Sequence, residues 1–101
     1  MPAETNNRLL VVGPGKAVAD FGESDWQQAI GAQHTEFLEC AAGRLAWQFD
    51  TEPGPPITQL TELSQRWRTL TFVLVYDREE AFTMGLARIK TGAVKHHRVR
   101  Y

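Results

Sequence analysis

The sequence predicts an α+β fold, with two helices laid on one face of a mainly antiparallel sheet. Three observations carry that expectation. Two strand-length apolar runs, LLVV (9–12) and FVLVY (72–76), stand far apart in the chain. Segments 45–51, 70–77 and 81–90 alternate in period two, which sends successive side chains to opposite faces of a strand. Between the first two of these, Pro55-Pro56 open a stretch whose apolar residues recur at helical spacing.

The bulk numbers bound the class. A chain of 101 residues suits one domain, and 43% apolar residues is ordinary for a protein with a core. No apolar run approaches the roughly 18 residues of a membrane span. MPAETNN has neither the basic nor the apolar region of a secretory signal. A single cysteine, Cys40, excludes an internal disulfide and fits a reducing compartment. The expectation is a soluble cytoplasmic protein.

Taken in order, residues 1–7 are polar and predicted to form a flexible tail, leaving 8–101 as the domain. RLLVV (8–12) reads as a buried strand and GPGK (13–16) as a turn. Residues 15–31 read as a helix broken near Gly22: Val18 and Phe21 form one contact pair, Trp26 and Ile30 another, and Ser24 stands at capping-box spacing from Gln27. Residues 33–42 support two readings. Phe37 and Ala41 extend the helical stripe of Trp26 and Ile30; alternatively TEFLEC (35–40) is a strand, AAGR (41–44) a turn and LAWQFDT (45–51) its hairpin partner. Gly43 suits the positive φ that such a turn needs.

FDTEPGPPITQL (49–60) then leaves a strand through Phe49 and enters a helix through Pro55 and Pro56, whose fixed φ and missing N–H suit a first turn. Ile57, Leu60, Leu63, Ser64 and Trp67 share one face of that helix, and Phe49 and Ile57 are predicted to be buried. LTFVLVYD (70–77) is apolar on one face and partly so on the other, as in a central strand. DREE (77–80) is a charged turn. In AFTMGLARIK (81–90), Phe82, Met84 and Leu86 alternate against Thr83, Gly85 and Ala87. Thr91-Gly92 make a tight turn into a closing edge strand, 93–101. The hairpin reading gives β-α-β-β-α-β-β-β, a ferredoxin-like split βαβ sandwich with a C-terminal β-hairpin extension. Its core-facing set is predicted to include Leu45, Trp47, Phe49, Phe72 and Phe82.

The span from Gly43 to Gly92 resembles the ferredoxin-like domain of a YubB-like family, uncharacterised bacterial proteins often carried on mobile elements. The residues that carry the resemblance are Gly43, Phe49 and Thr51, Pro55-Pro56, Leu70-Thr71-Phe72, Phe82 and Gly85, and Lys90 with Gly92. VVGPGKAVADF is similar to that family's first strand, turn and helix. The chain departs from the family at Glu52-Pro53-Gly54, where an aromatic is usual, and at GAQHTEF (31–37), where a Trp-rich stretch often stands. The resemblance favours the hairpin reading of 33–51 and implies no activity.

Candidate chemistry is sparse. VVGPGK (11–16) has a strand, glycines and a lysine, but Val18 breaks GxGxxG, the Walker spacing is absent, and Pro14 removes an N–H; a plain βα turn is the better reading. His34, Glu36, Cys40, His96 and His97 do not make a metal set, since adjacent strand residues face apart. Cys40 reads as a small buried residue. No catalytic constellation, cofactor, metal or small-molecule ligand is predicted, so the chain is read as no enzyme. What remains is a surface. Residues 1–87 carry a net charge of −6 and residues 88–101 carry +5. That basic end is either an anion-binding edge or an edge strand charged against aggregation. The face opposite the helices is predicted to hold Gln48, Thr71, Val73, Val75 and Thr83, without stacking rings and without the RNA-recognition pattern before Phe72. The predicted binding surface is Val73, Val75, Arg88, Lys90, Lys95, His97 and Arg100. Its partner is a protein or a second copy of the chain, as for a small interaction or regulatory module. The alternative is weak nucleic-acid binding through 88–101.

Overall fold

The computed structural model describes residues 4–52 and 54–101. The elements run β1 (Thr5–Val12), α1 (Gly15–Gly22), α2 (Trp26–Ile30), β2 (Gln33–Ala41), β3 (Arg44–Thr51), α3 (Ile57–Arg66), β4 (Thr71–Arg78), a 3₁₀ turn (Glu79–Ala81), β5 (Thr83–Lys90) and β6 (Ala93–Arg100). The strands form one sheet in the order β2-β3-β1-β4-β5-β6, with every neighbouring pair antiparallel. This strand-rich six-stranded sheet with three α-helices is not the two-helix ferredoxin-like sandwich that the sequence predicts.

The third helix arises because the first helical segment splits in two. Residues five apart on a continuous helix lie about 140° apart around its axis, so Phe21 and Trp26 could not both face the sheet. The chain breaks between them instead, and both become fully buried, stacked with ring centroids 5.7 Å apart. Ser24 does not form the capping box with Gln27. Its hydroxyl donates to the Phe21 carbonyl at 2.6 Å, and its N–H donates to the same oxygen at 3.0 Å. α2 ends at Gly31, whose φ of 72° needs glycine.

β1 starts earlier than expected. Residues 1–3 of the predicted tail lie outside the described residues, but Thr5 pairs with β3, Asn6 and Asn7 pair with both β3 and β4, and Thr5 and Asn7 are fully buried. Asn7 Nδ2 donates to the carbonyls of Thr5 and Phe49 and, at 2.9 Å, to Thr51 Oγ1. The Thr51 hydroxyl in turn donates to the Gly54 carbonyl at 2.8 Å. These bonds satisfy buried donors and fix the chain's path into α3. That helix begins at Ile57, directly after Pro55-Pro56, with the Leu60 N–H on the Pro56 carbonyl. Phe49 is buried as expected, Leu60, Leu63 and Ser64 of the shared helix face are buried, and Ile57, expected to be buried, is only partly covered.

Residues 33–41 are strand, not helix, and 42 belongs to the turn: β2 and β3 form the hairpin, turning at Gly43 with φ 72°. Cys40, expected to be buried, is exposed, because β2 is an edge strand beyond the reach of the helices. α1 lies over β3 and α3 over β4 and β5. The core sits under them, centred on Phe21, whose ring lies 5.2–6.2 Å from those of Trp26, Trp47, Trp67 and Phe72.

β5 has the opposite orientation to the one predicted. Ala87 and Ile89 are buried on the helix side, while Met84 and Leu86 face away from it. The reason is Gly85. It pairs with Tyr76, whose ring fills the space a side chain would take: a Cβ at 85 would lie 2.4 Å from the ring. Phe82 consequently leaves the core. It sits after the 3₁₀ turn with φ 49° and is 59% exposed. Thr83, expected on the open face, pairs with Arg78 on the helix side of the sheet.

Candidate functional site: the open sheet face

The sheet face opposite the helices has no element packed on it among the described residues. Strand register assembles its levels. Arg8, Val75, Leu86 and His97 stand side by side across β1, β4, β5 and β6. Leu10, Val73, Arg88 and Lys95 form the next level on one side, and Asp77, Met84 and Val99 the next on the other. Val75, Met84 and Leu86 are 43–45% exposed and Val99 59%, so the centre of β4–β6 presents contiguous apolar surface.

Six of the seven predicted surface residues meet here: Val73, Val75, Arg88, Lys90, Lys95 and His97. Val73 is half-buried between Leu10 and Arg88. Arg100 does not join them. Strand alternation puts it opposite Thr83 on the helix-side face, with His96 and Arg98. Met84, Leu86 and Val99 were not foreseen in the surface. The signal for the first two was Gly85, since a strand-interior glycine marks close approach on its own face and so turns its neighbours outward.

Charge divides this face along the strand order. On the β2–β3 side Glu36, Glu39 and Asp50 face one guanidinium, Arg44, which is paired with Glu39 at 2.6 Å. On the β5–β6 side Arg88, Lys90 and Lys95 have no carboxylate within ion-pair distance among the described residues. The middle strands carry Arg8 and Asp77.

Two tyrosines tie β6 and the chain end to the rest. Tyr76 Oη and His96 Nε2 share a hydrogen bond of 2.7 Å; burial raises the Tyr76 pKa, against a smaller lowering by the Arg98 charge. The Tyr101 hydroxyl donates to Asp77 Oδ1. That bond, with burial and the charges of Asp77 and Glu79, pushes its pKa up to about 12. Tyr101 also meets Phe82 edge-on, and an open groove of ≈ 430 Å³ lies among Asp77, Glu79, Phe82, Met84 and Tyr101.

The remaining sequence candidates are dispersed. His34 contacts Asp50 at 3.2 Å, Cys40 lies at the far end of β2, and His96 and His97 face apart. Among the described residues no group of three or more His, Cys, Asp or Glu converges as metal ligands would. The GPGK turn is built for packing: the Gly13 N–H donates to the Gly43 carbonyl, and a Cβ at Gly13 would lie 2.7 Å from Leu70 Cδ2. Among the described residues no helix is long and apolar enough to cross a membrane. No protein-family model matches the chain, and no match is found among curated proteins or solved structures.

Proposed function

We propose that the chain is a non-catalytic protein-interaction module that docks its partner on the open sheet face. The observation that carries this reading is the contiguous exposed apolar surface of Val75, Met84, Leu86 and Val99 on an uncovered sheet. Burying such surface is worth about 25 cal/mol per Å², and cations at its margin orient a partner. The YubB-like resemblance and a cytoplasmic setting, in which an exposed thiol such as Cys40 stays reduced, belong to the same proposal. A photocrosslinking amino acid in place of Leu86 tests it, with Glu62 on the exposed side of α3 as the control. Protein-sized adducts at 86 and not at 62 are expected; equal yields, or none at 86, overturn the reading.

A second reading rests on the β5–β6 cations, for which the described residues provide no ion-pairing carboxylates. Phosphate contacts by Arg88, Lys90 and Lys95 on the open face, with Arg98 and Arg100 reaching from the other side of the β6 edge, would give affinity for DNA or RNA that falls steeply with salt. Titration of a short duplex and a short single strand at several salt concentrations decides it. No binding at low salt, or a flat salt dependence, removes it.

A further inference from the structure

We infer that the occupant of the open face is a second copy of this chain, stacked face to face with the two-fold axis running parallel to the strands. The inference rests on the docking reading above and names its partner. Three observations carry it.

The first is size. Six strands about 4.8 Å apart and roughly 26 Å long present about 750 Å², close to the ~800 Å² per partner of a standard interface. The second is composition: exposed Val75, Met84, Leu86 and Val99 run from β4 to the β6 edge, Leu10 and Val73 stand beside them at mid-sheet, and charged side chains surround them as a rim surrounds an interface core. The third is the sense of the charge. An isologous dimer places one face against itself, so the axis decides which strands meet. With the axis across the strands, β6 would lie on β6 and the cations of both copies would oppose one another. With the axis along the strands and between β1 and β4, β2 meets β6 and β3 meets β5. The β2 carboxylates of each copy then cover the basic β6 of the other, twice per dimer, while Arg44, level with Lys90 of the second copy, keeps its own partner Glu39.

Register makes this specific. Glu36 shares its level with Gln48 and, through Arg8, Val75 and Leu86, with His97; Glu39 shares its level with Ala46 and, through Leu10, Val73 and Arg88, with Lys95. The two-fold therefore brings Glu36 over His97 and Glu39 over Lys95 of the second copy. Packed sheets cross at about 30°, which at the edge strands shifts these contacts along the strand by about two residues, within the reach of lysine and glutamate. At the centre Leu10 meets Val73 of the second copy, the arginine stem of Arg8 lies over Val75, and Leu86 lies over the aliphatic stem of Gln48.

The experiment is sedimentation of four purified proteins from about 1 to 500 µM, the range in which a weak to moderate dimer dissociates. They are the wild type, Leu86→Arg, an acidic-flank reversal (Glu36→Lys with Glu39→Lys) and a basic-flank reversal (Lys95→Glu with His97→Glu). All four side-chain positions in the two reversals are exposed, and circular dichroism of each variant checks that it folds. The wild type is expected to dimerise. Leu86→Arg and each reversal alone should weaken self-association about tenfold or more. An equimolar mixture of the two reversals should pair nearly as tightly as wild type, because both flanks are complementary again. A wild type that stays monomeric overturns the self-pairing and leaves the docking reading to its own crosslinking test. A dimer lost in Leu86→Arg but indifferent to both reversals overturns the axis while keeping the face. A dimer that Leu86→Arg leaves intact uses another surface and overturns both. A monomer that binds duplex DNA, and loses it in the basic-flank reversal, reassigns the cations to phosphate.

Discussion

Replacing Gly85 by alanine should unseat Tyr76. A Cβ at this position would lie 2.4–2.5 Å from Cζ, Oη and Cε2 of the tyrosine ring. No real Cβ contact is that short, so the ring or the strand must move by an ångström or so. The ring is poorly placed to yield, being 3% exposed and tied to His96 at 2.7 Å. Overpacking of a filled core costs about 1–3 kcal/mol, and losing the tyrosine–histidine bond adds roughly 1 kcal/mol. The expected total is about 2–4 kcal/mol, a fall of at least ~8 °C in Tm for a domain of this size. Calorimetry and urea unfolding measure it, and a double-mutant cycle locates it. Tyr76→Leu removes the obstructing atoms, so alanine at 85 should cost under about 1 kcal/mol in that background. If Gly85→Ala costs the same with or without the tyrosine ring, the account of β5 is wrong, and with it the outward facing of Met84 and Leu86.

Further outcomes follow from the same geometry. The chain has two tyrosines and both pKa values are raised, Tyr101 to about 12, so tyrosinate absorbance near 295 nm should lag behind that of the unfolded chain at pH 10. Folding thus holds these protons more tightly; the linked stability is complete below the unfolded pKa near 10 and is lost as pH rises through 12, and Tyr101→Phe should remove the upper part of that loss. A titration midpoint at or below 10 for both groups would contradict it. Ser64 is fully buried, and its Oγ accepts the Gly92 N–H at 2.9 Å while donating to the Thr61 carbonyl. Ser64→Ala should therefore cost about 1–3 kcal/mol and selectively speed hydrogen exchange at Gly92, where unchanged exchange would refute the link.

Much of the local structure was legible because it depends on local chemistry. Pro55-Pro56 announced α3 through their backbone geometry, and Gly43 and Gly92 announced the two hairpin turns through the φ of 72° and 79° that they adopt. Leu70, Phe72, Leu74 and Tyr76 showed their common face by alternation, and all four are buried. What was not legible depends on contacts far apart in sequence. The break near Gly22 was expected, but its cause was not visible: Phe21 and Trp26 stack on each other and both pack on Trp47, a strand away. Strand β5 looked apolar on the face of Met84 and Leu86, but Tyr76 and α3 left room on the core side only for Gly85, Ala87 and Ile89. The early start of β1 depends on Thr51, 44 residues from Asn7, whose hydroxyl receives the buried amide. The functional surface was half visible for the same reason: its charges could be read directly, whereas its apolar centre required the β5 register.

The aromatic cluster around Phe21 has an optical consequence. All three tryptophans, Trp26, Trp47 and Trp67, lie on the helix side of the sheet, and none faces the open side. Their emission will track whether the chain is folded and stay dark to anything that settles on the opposite face. A reporter for that event has to be supplied, and the molecule offers one attachment point. Its single thiol, Cys40, is exposed on β2, the strand that the proposed pairing lays across β6 of the second copy. The thiol pairs with Leu45 and so leaves this edge strand on the helix side, and a dye on a linker that reaches round the edge would brighten or quench on association while the tryptophans hold steady, so one sample separates assembly from unfolding.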